Sequence, residues 1–433
     1  MTHGGRCTTL VLTVLLMSAD AAAAQERVTL EEAIARGLQQ SARLAELQAR
    51  EAAAGAVEQG RGAARLPVVA ALAGYTRTNH VEEFSIVAPG IPPRVIYPDV
   101  PDNLRARIDL QWPIYTAGRL DALEHAARAE RSAAAEDIET ARADLRLEIT
   151  RAFWALVTAR ESEQVLARSV KTLDVHLSDL RARLDQGLIP PNDVLTAEAQ
   201  RARRHGLLIE ASNTRAIAEA DLRRLIGGEG ALAPVEPAAS GPTATEPGGR
   251  VRPERRALDQ RLTAARARER AVQAQFKPQV SFAAGYDYAR PNPRIFPRAG
   301  RWDDSWDVSV NGSWTLWDGG RRAAERAEAT ALARAIEART ADFDRSAAFE
   351  VEARRLDLDS ARALIAAADA GIRAAEEARR VVDERYRAGV VTSTDVLDAE
   401  LALLQAQLDR TRAVAAARLA EARLTRALGS PAP

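Results

Sequence analysis

The chain has 433 residues, with 60 basic and 60 acidic side chains and a formal net charge of zero. That balance argues against nucleic-acid binding driven by phosphate neutralisation. Aromatic residues make up only 4%, low for a globular core of this size, and Ala-rich, charged, helix-forming stretches dominate instead.

Residues 1–24 read as an export signal. Arg6 supplies a weak positive region, Thr8 to Met17 is an apolar run too short to span a bilayer, and Ala22-Ala23-Ala24 before Gln25 suits a small-residue cleavage site. Cys7 is the only cysteine and precedes the apolar run. It is expected to leave with the signal, so neither a disulfide nor a lipid-bearing cysteine is expected in the mature chain. No later segment offers eighteen uninterrupted apolar residues, so no transmembrane helix is expected. An exported chain of this kind is either soluble in the periplasm or crosses the outer membrane with strands.

An internal repeat organises the rest of the chain. Arg183-Leu-Asp-Gln-Gly187 through Asp193-Val-Leu-Thr-Ala-Glu198 superposes on Arg385-Tyr-Arg-Ala-Gly389 through Asp395-Val-Leu-Asp-Ala-Glu400 at a spacing of 202. Trp112-Pro-Ile-Tyr115 through Arg119 matches Trp314-Thr-Leu-Trp317 through Arg321 at the same spacing. Upstream, Pro67 to Tyr75 matches Pro278 to Tyr286 at 211, so a nine-residue change lies between Tyr75 and Ile108. Residues 25–228 form repeat 1, 229–252 a linker rich in Pro, Gly and Ala, and 253–433 repeat 2.

Each repeat reads, in chain order, as helix, strand, loop, strand, long helix, turn, helix. The first helix is predicted over about Leu30 to Ala64. The first strands are the less decisive ones: Pro67 to Tyr75 is apolar on both faces, whereas Val280, Phe282, Ala284 and Tyr286 alternate with Gln279, Ser281 and Asp287. The second strands are clear. Ile108, Leu110, Trp112 and Ile114 alternate with Arg107, Asp109 and Gln111, and Val308, Val310, Trp314 and Leu316 alternate with polar residues. Such strands fit a half-buried sheet of a soluble domain or the wall of a membrane barrel, apolar to lipid and polar to the lumen. Trp112, Tyr115, Trp314 and Trp317 stand at strand ends, where a membrane-interface girdle lies. The long helices, predicted over Leu120 to Gln186 and Arg322 to Arg387, would each reach roughly 100 Å. That length suits a coiled coil or a wall rather than a compact domain.

Four strands cannot close a membrane barrel, and an eight-strand barrel is filled by its own side chains. Three copies would give twelve strands and an open lumen, so a homotrimer is expected.

The motifs Trp112 to Arg119 and Trp314 to Arg321, together with the Gly-x5-Asp-Val-Leu turns starting at Gly187 and Gly389, resemble the TolC family of outer-membrane efflux and secretion channels. The resemblance covers essentially the whole mature chain. It implies a mixed α/β membrane protein: a trimeric twelve-stranded β-barrel, four strands per chain, continued by a long periplasmic α-helical barrel built from two internal repeats. It implies location in the outer membrane of a Gram-negative bacterium, extending into the periplasm. It also implies the role of outer-membrane component of a tripartite efflux pump or type I secretion system. The implied partners are a periplasmic adaptor (membrane fusion protein) and an inner-membrane RND, MFS or ABC transporter. That transporter supplies the energy, so neither a catalytic site nor a cofactor is expected. The loops Arg77 to Leu104 and Ala289 to Asp304 would face outward, and the segment around Pro234 to Gly249 would belong to a belt around the tunnel.

Candidate site residues gather at the turns. Asp395 and Asp398 are three apart on one helical face, and in a trimer they would place six carboxylates around an opening, a possible ring for cations. Both match the family's selectivity aspartates, while Asp193 and Tyr386 match residues whose contact between hairpins helps close the mouth. Val391 stands where some members carry an arginine gate contact. The alternative for Asp193 and Asp395 is helix N-capping. Gly187-Leu188 and Gly389-Val390 match the family's adaptor-contact turns, and glycine there also serves as a left-handed helix stop. The five histidines show no metal-ligand spacing, and no phosphate loop, dinucleotide fingerprint or nucleophile elbow is present. The rival reading is a soluble periplasmic coiled-coil adaptor or scaffold. A passive porin is a second, disfavoured by the long helices.

Overall fold

The duplicated sequence folds into duplicated elements. A computed structural model describes residues 26–235 and 251–429. The expected export signal and residues 236–250 of the expected linker lie outside the described residues. In chain order the elements are β1 (Glu26–Val28), α1 (Leu30–Gln40), α2 (Ala42–Ala63), β2 (Val68–Arg77), β3 (Phe84–Ala88), β4 (Ile91–Tyr97), β5 (Asp102–Tyr115), α3 (Arg119–Asp185), α4 (Pro191–Ile226), β6 (Leu232–Pro234), α5 (Pro253–Ala274), β7 (Gln279–Arg290), β8 (Asp303–Ser313), α6 (Arg321–Arg387) and α7 (Ser393–Ala427). The described residues divide into two units, 26–40, 148–235 and 361–419 in one and 41–147, 251–360 and 420–429 in the other.

The second unit holds the sheet. Its strands run in the order β2-β5-β7-β8, and every neighbouring pair is antiparallel. The two repeats therefore share one sheet, joined where β5 pairs with β7. Register pairs Tyr75 with Leu104 in the first repeat and Tyr286 with Trp306 in the second, so the first connection is nine residues longer. That longer connection contains the β3–β4 hairpin, a two-stranded ribbon separate from the main sheet. β8 ends at Ser313, short of the alternation expected to Leu316. Its partner β7 starts at Gln279, opposite Ser313, so an edge strand has nothing further to pair with. β5 lies between two strands and continues to Tyr115.

Helices of this unit meet through alanine. Ala126, Ala133 and Ala141 of α3 and Ala257, Ala264, Ala267 and Ala271 of α5 are all buried, and such small side chains let backbones approach closely. Ion pairs line the seams: Arg131 with Glu51 at 2.6 Å, Arg268 with Glu130 at 3.0 Å, and Arg255 with Asp344 at 2.8 Å.

The other unit packs α1, α4, α7 and the distal parts of α3 and α6 around aliphatic side chains. The predicted first helix breaks at Ser41, whose hydroxyl accepts a hydrogen bond from the Leu44 N–H and caps α2. Gly37 of α1 lies against Ile149, where a Cβ would come within 2.3 Å of the Ile149 Cδ1 atom. β1 and β6 form a short parallel pair, an element the sequence did not announce. No helix among the described residues is long and apolar enough to cross a membrane.

Candidate functional site

The ends of the two long helices are built alike. After α3 the Gly187 N–H donates to the Leu184 carbonyl at 2.8 Å and the Leu188 N–H to the Arg183 carbonyl at 2.9 Å. After α6 the Gly389 N–H donates to the Tyr386 carbonyl at 3.0 Å and the Val390 N–H to the Arg385 carbonyl at 2.9 Å. This is the double hydrogen bond of a Schellman stop, which needs a residue at positive φ. Gly187 sits at φ 69° and Gly389 at φ 74°. The aliphatic residue that comes next is turned outward in both: Leu188 is 68% exposed and Val390 63%.

Below the turns, Leu173, Leu177 and Leu180 of α3 bury against Val194 and Ala197 of α4 and Leu397 of α7, with Tyr386 packed on this cluster. The Tyr386 ring lies 5.7 Å from the His176 ring and beneath the Arg183 guanidinium at 4.9 Å. Its buried hydroxyl has no hydrogen-bond partner among the described residues, so Asp193, in the same unit, is not hydrogen-bonded to it. Burial raises the Tyr386 phenol above its ordinary value, with Asp193 contributing in the same direction. His176 Nε2 meets the Ser393 hydroxyl at 3.0 Å, and burial pushes the imidazole below its ordinary value.

The three aspartates differ. The Asp395 carboxylate accepts from the Thr392 N–H at 2.8 Å and hydroxyl at 2.7 Å, while its own N–H donates to the Thr392 hydroxyl at 3.4 Å. This is a capping box at the start of α7, and these hydrogen bonds hold the carboxylate below its ordinary value. Asp193 stands in the first turn of α4, whose N-cap is Pro190 without a side-chain cap bond. Asp398 is exposed, one turn further along α7.

Two features of this unit escaped sequence reading. Arg204 of α4 is only 2% exposed, donating to the Ser169 hydroxyl at 2.8 Å and the Leu397 carbonyl at 3.4 Å. Burial lowers its guanidinium from its ordinary value. His176 carried a signal that metal-ligand spacing could not reveal: it lies three residues from Leu173 and four from Leu180, beside the buried stripe of α3.

The sheet of the other unit is polar on one face and apolar on the other. Leu104, Ala106, Ile108, Leu110 and Trp112 share a face with Tyr286, Trp306, Val308 and Val310. Of these, Ile108, Trp112, Tyr286, Trp306, Val308 and Val310 are exposed. The opposite face carries Arg105, Arg107, Asp109, Asp287 and Asp307, and there Asp287 is buried. The four aromatic residues expected at strand ends are exposed as well. Trp112 and Trp314 play equivalent parts in the two repeats. The Trp112 indole N–H donates to the Arg65 carbonyl at 3.1 Å and that of Trp314 to the Phe276 carbonyl at 3.0 Å, just ahead of each first strand.

The sequence matches the outer membrane efflux protein family over residues 9–228 and 251–430. The fold is similar to the outer membrane protein VceC from Vibrio cholerae, at 23% identity over 93% of this chain and 96% of that one, with a TM-score of 0.78. It is similar to the Campylobacter jejuni CmeC outer membrane channel, at 15% identity over 92% and 85% of the two chains, with a TM-score of 0.78. The open state of the Neisseria gonorrhoeae MtrE outer membrane channel aligns at 19% identity over 93% and 89%, with a TM-score of 0.75. At these identities the likeness is one of fold. No curated protein matches the chain. The soluble-adaptor alternative gives way to the family read from the duplicated motifs, since the match takes in both repeats and each repeat contributes two strands to one sheet. The chain belongs to the outer membrane efflux protein family and is an outer-membrane efflux channel.

Proposed function

We propose that three copies of this chain close a single twelve-stranded barrel in the outer membrane, continued into the periplasm by a helical tunnel, and that this channel is the passive exit of a tripartite pump or type I secretion system. The observation that carries the reading is the inverted sheet, with an exposed apolar face and Asp287 buried within a charged network on the other. Such a sheet is stable where lipid meets the apolar face and water the polar one. β2 and β8 each pair on one side only, and an open edge in lipid leaves backbone groups unsatisfied at several kcal/mol apiece. Edge-to-edge closure with further copies removes that cost, and three copies give a lumen wide enough to conduct. Trp112, Tyr115, Trp314 and Trp317 would then mark a membrane interface.

The helical turns would meet a periplasmic adaptor, because Leu188 and Val390 offer exposed aliphatic side chains on rigid Schellman stops. Energy would come from an inner-membrane transporter of the RND, MFS or ABC class. At the tunnel mouth Asp193 and Tyr386 act as gate residues in this reading, and Asp395 with Asp398 as the cation ring. The capping box engages Asp395, which leaves Asp398 the freer carboxylate.

Bilayer recordings on purified oligomer test the assembly. A heat-sensitive trimer with one conductance per trimer is expected, and a monomer that inserts and conducts alone would overturn it. The same preparation carrying Leu188→Glu should keep its conductance and lose efflux in complementation. Undiminished efflux would remove the adaptor contact.

A further inference from the structure

The polar face of the sheet carries a charge network that spans the junction between the repeats. Register sets Arg107 of β5 opposite Asp287 of β7, and Asp109 opposite Gly285, which in turn lies opposite Asp307 of β8. The Arg107 guanidinium reaches all three carboxylates. Nε donates to Asp109 at 2.6 Å, Nη1 to Asp287, and both Nη atoms to Asp307 at 3.1 and 3.3 Å. Arg105 adds a bond to Asp287 at 2.5 Å, and Arg294 pairs with Asp307 at 3.1 Å. The side chain of Arg107 can cross β7 because Gly285 has none. A Cβ there would fall 2.1 Å from Arg107 Nη2. Glycine inside a strand often marks such a close approach.

Three arginines and three aspartates balance to zero. Asp287 is 3% exposed, and a carboxylate that buried stays charged only when paired. The centre of the network is Arg107, whose guanidinium bonds carboxylates on β5, β7 and β8. We infer that Arg107, laid across Gly285, holds the lumenal wall of the barrel charge-neutral and thereby sets how far the barrel selects between cations and anions. The inference rests on the reading that this face lines the lumen. Rings of charged side chains govern ion selectivity in pores, and each change of one charge per chain is repeated in every copy around the barrel. This determinant is separate from the aspartates of the helical turns.

Reversal potentials across a salt gradient test it. Arg107→Gln leaves one net negative charge per chain and should shift permeability several-fold toward cations. Asp287→Asn, which leaves one net positive charge and keeps an oxygen for Arg107, should shift it toward anions. Gly285→Ala displaces the guanidinium but keeps every charge, so its reversal potential should stay near the wild-type value; a shift as large as that of Arg107→Gln would count against charge balance as the determinant. An unchanged reversal potential in folded Asp287→Asn channels would overturn the inference, even if Arg107→Gln fails to assemble. A thiol placed at Ser309, on the same face, separates the two levels. Reduced conductance after reaction with a charged, membrane-impermeant thiol reagent supports the lumenal reading. No change would overturn that reading and the inference with it.

Discussion

On the sheet Asp287 is buried and Trp306, one strand away, is 70% exposed. On α3 Leu180 is fully buried and its neighbour Arg181 is exposed. The two regions obey the same rule against different surroundings. The helical cluster hides aliphatic side chains from water, as any soluble bundle does. The sheet hides Asp287 and presents Ile108, Val308 and Val310, a pattern that suits an apolar medium. Two charged residues of the helical region are buried as well: Glu219, paired with Arg215 and Arg223, and Arg204, whose guanidinium is held by a hydroxyl and a carbonyl. The contrast can be broken at either end.

The largest effect is expected on the sheet. Val308 lies opposite Ala284 on the exposed apolar face. Val308→Arg should cost about 2–4 kcal/mol if that position lies near the bilayer midplane. Ser309→Arg, one residue along and on the other face, should cost little. Urea titration of folding into lipid vesicles measures both. Equal midpoints for Val308→Arg and wild type would mean that this face does not meet lipid.

How far the sequence revealed these regions depends on where the information lies. The second strands were legible because a sheet with one polar face imprints a period of two on Ile108 to Ile114 and on Asp307 to Val310. The first strand was not, because Val68 and Leu72 fall on the polar face opposite Gln111 and Arg107, so its own pattern does not report its orientation. The β3–β4 ribbon was hidden by Pro92 and Pro93, which a ribbon outside the main sheet tolerates. At the turns, the repeated glycines foretold the helix stops, and the capping alternative for Asp395 takes its form from Thr392, three residues earlier. The charge network was invisible because Arg107 and Asp287 belong to different repeats, and only the β5–β7 register brings them together. Arg204 gave no sign, since one arginine among many on a charged helix looks like its solvated neighbours.

A smaller effect is expected at Arg204. Ser169→Ala removes its best partner and leaves a buried donor unsatisfied, at about 1–3 kcal/mol. Arg204→Met removes the charge while filling similar space, and should be neutral or stabilising. In the Arg204→Met background Ser169→Ala should then cost much less. Chemical denaturation of the four variants gives the coupling. Additive costs would show that the Ser169 hydroxyl does not support the guanidinium.

The smallest effect is expected at His176, and its sign is set by burial. Burial pushes the imidazole below its ordinary value, as to a lesser degree does Arg183, while Asp179, Glu400 and Asp383 pull it back up. The folded chain therefore holds the proton less tightly than the unfolded chain. Stability from this site is complete above the unfolded value near 6.5 and falls as the pH drops below it. Asp395 is also lowered, but its contribution is lost only further into acid, as the pH falls below the ordinary value of 3.8. Between pH 7.5 and 5.5 the wild-type denaturation midpoint should decline, by at most about 1.4 kcal/mol per pH unit from this one group. His176→Gln keeps a polar atom near the Ser393 hydroxyl and cannot titrate, so its midpoint should decline less. Ser393 opens α7, the helix that carries Asp395 and Asp398, so a charge on His176 would act on the first turn of the proposed gate. Equal slopes in the two proteins would show that His176 is not held neutral by its neighbours.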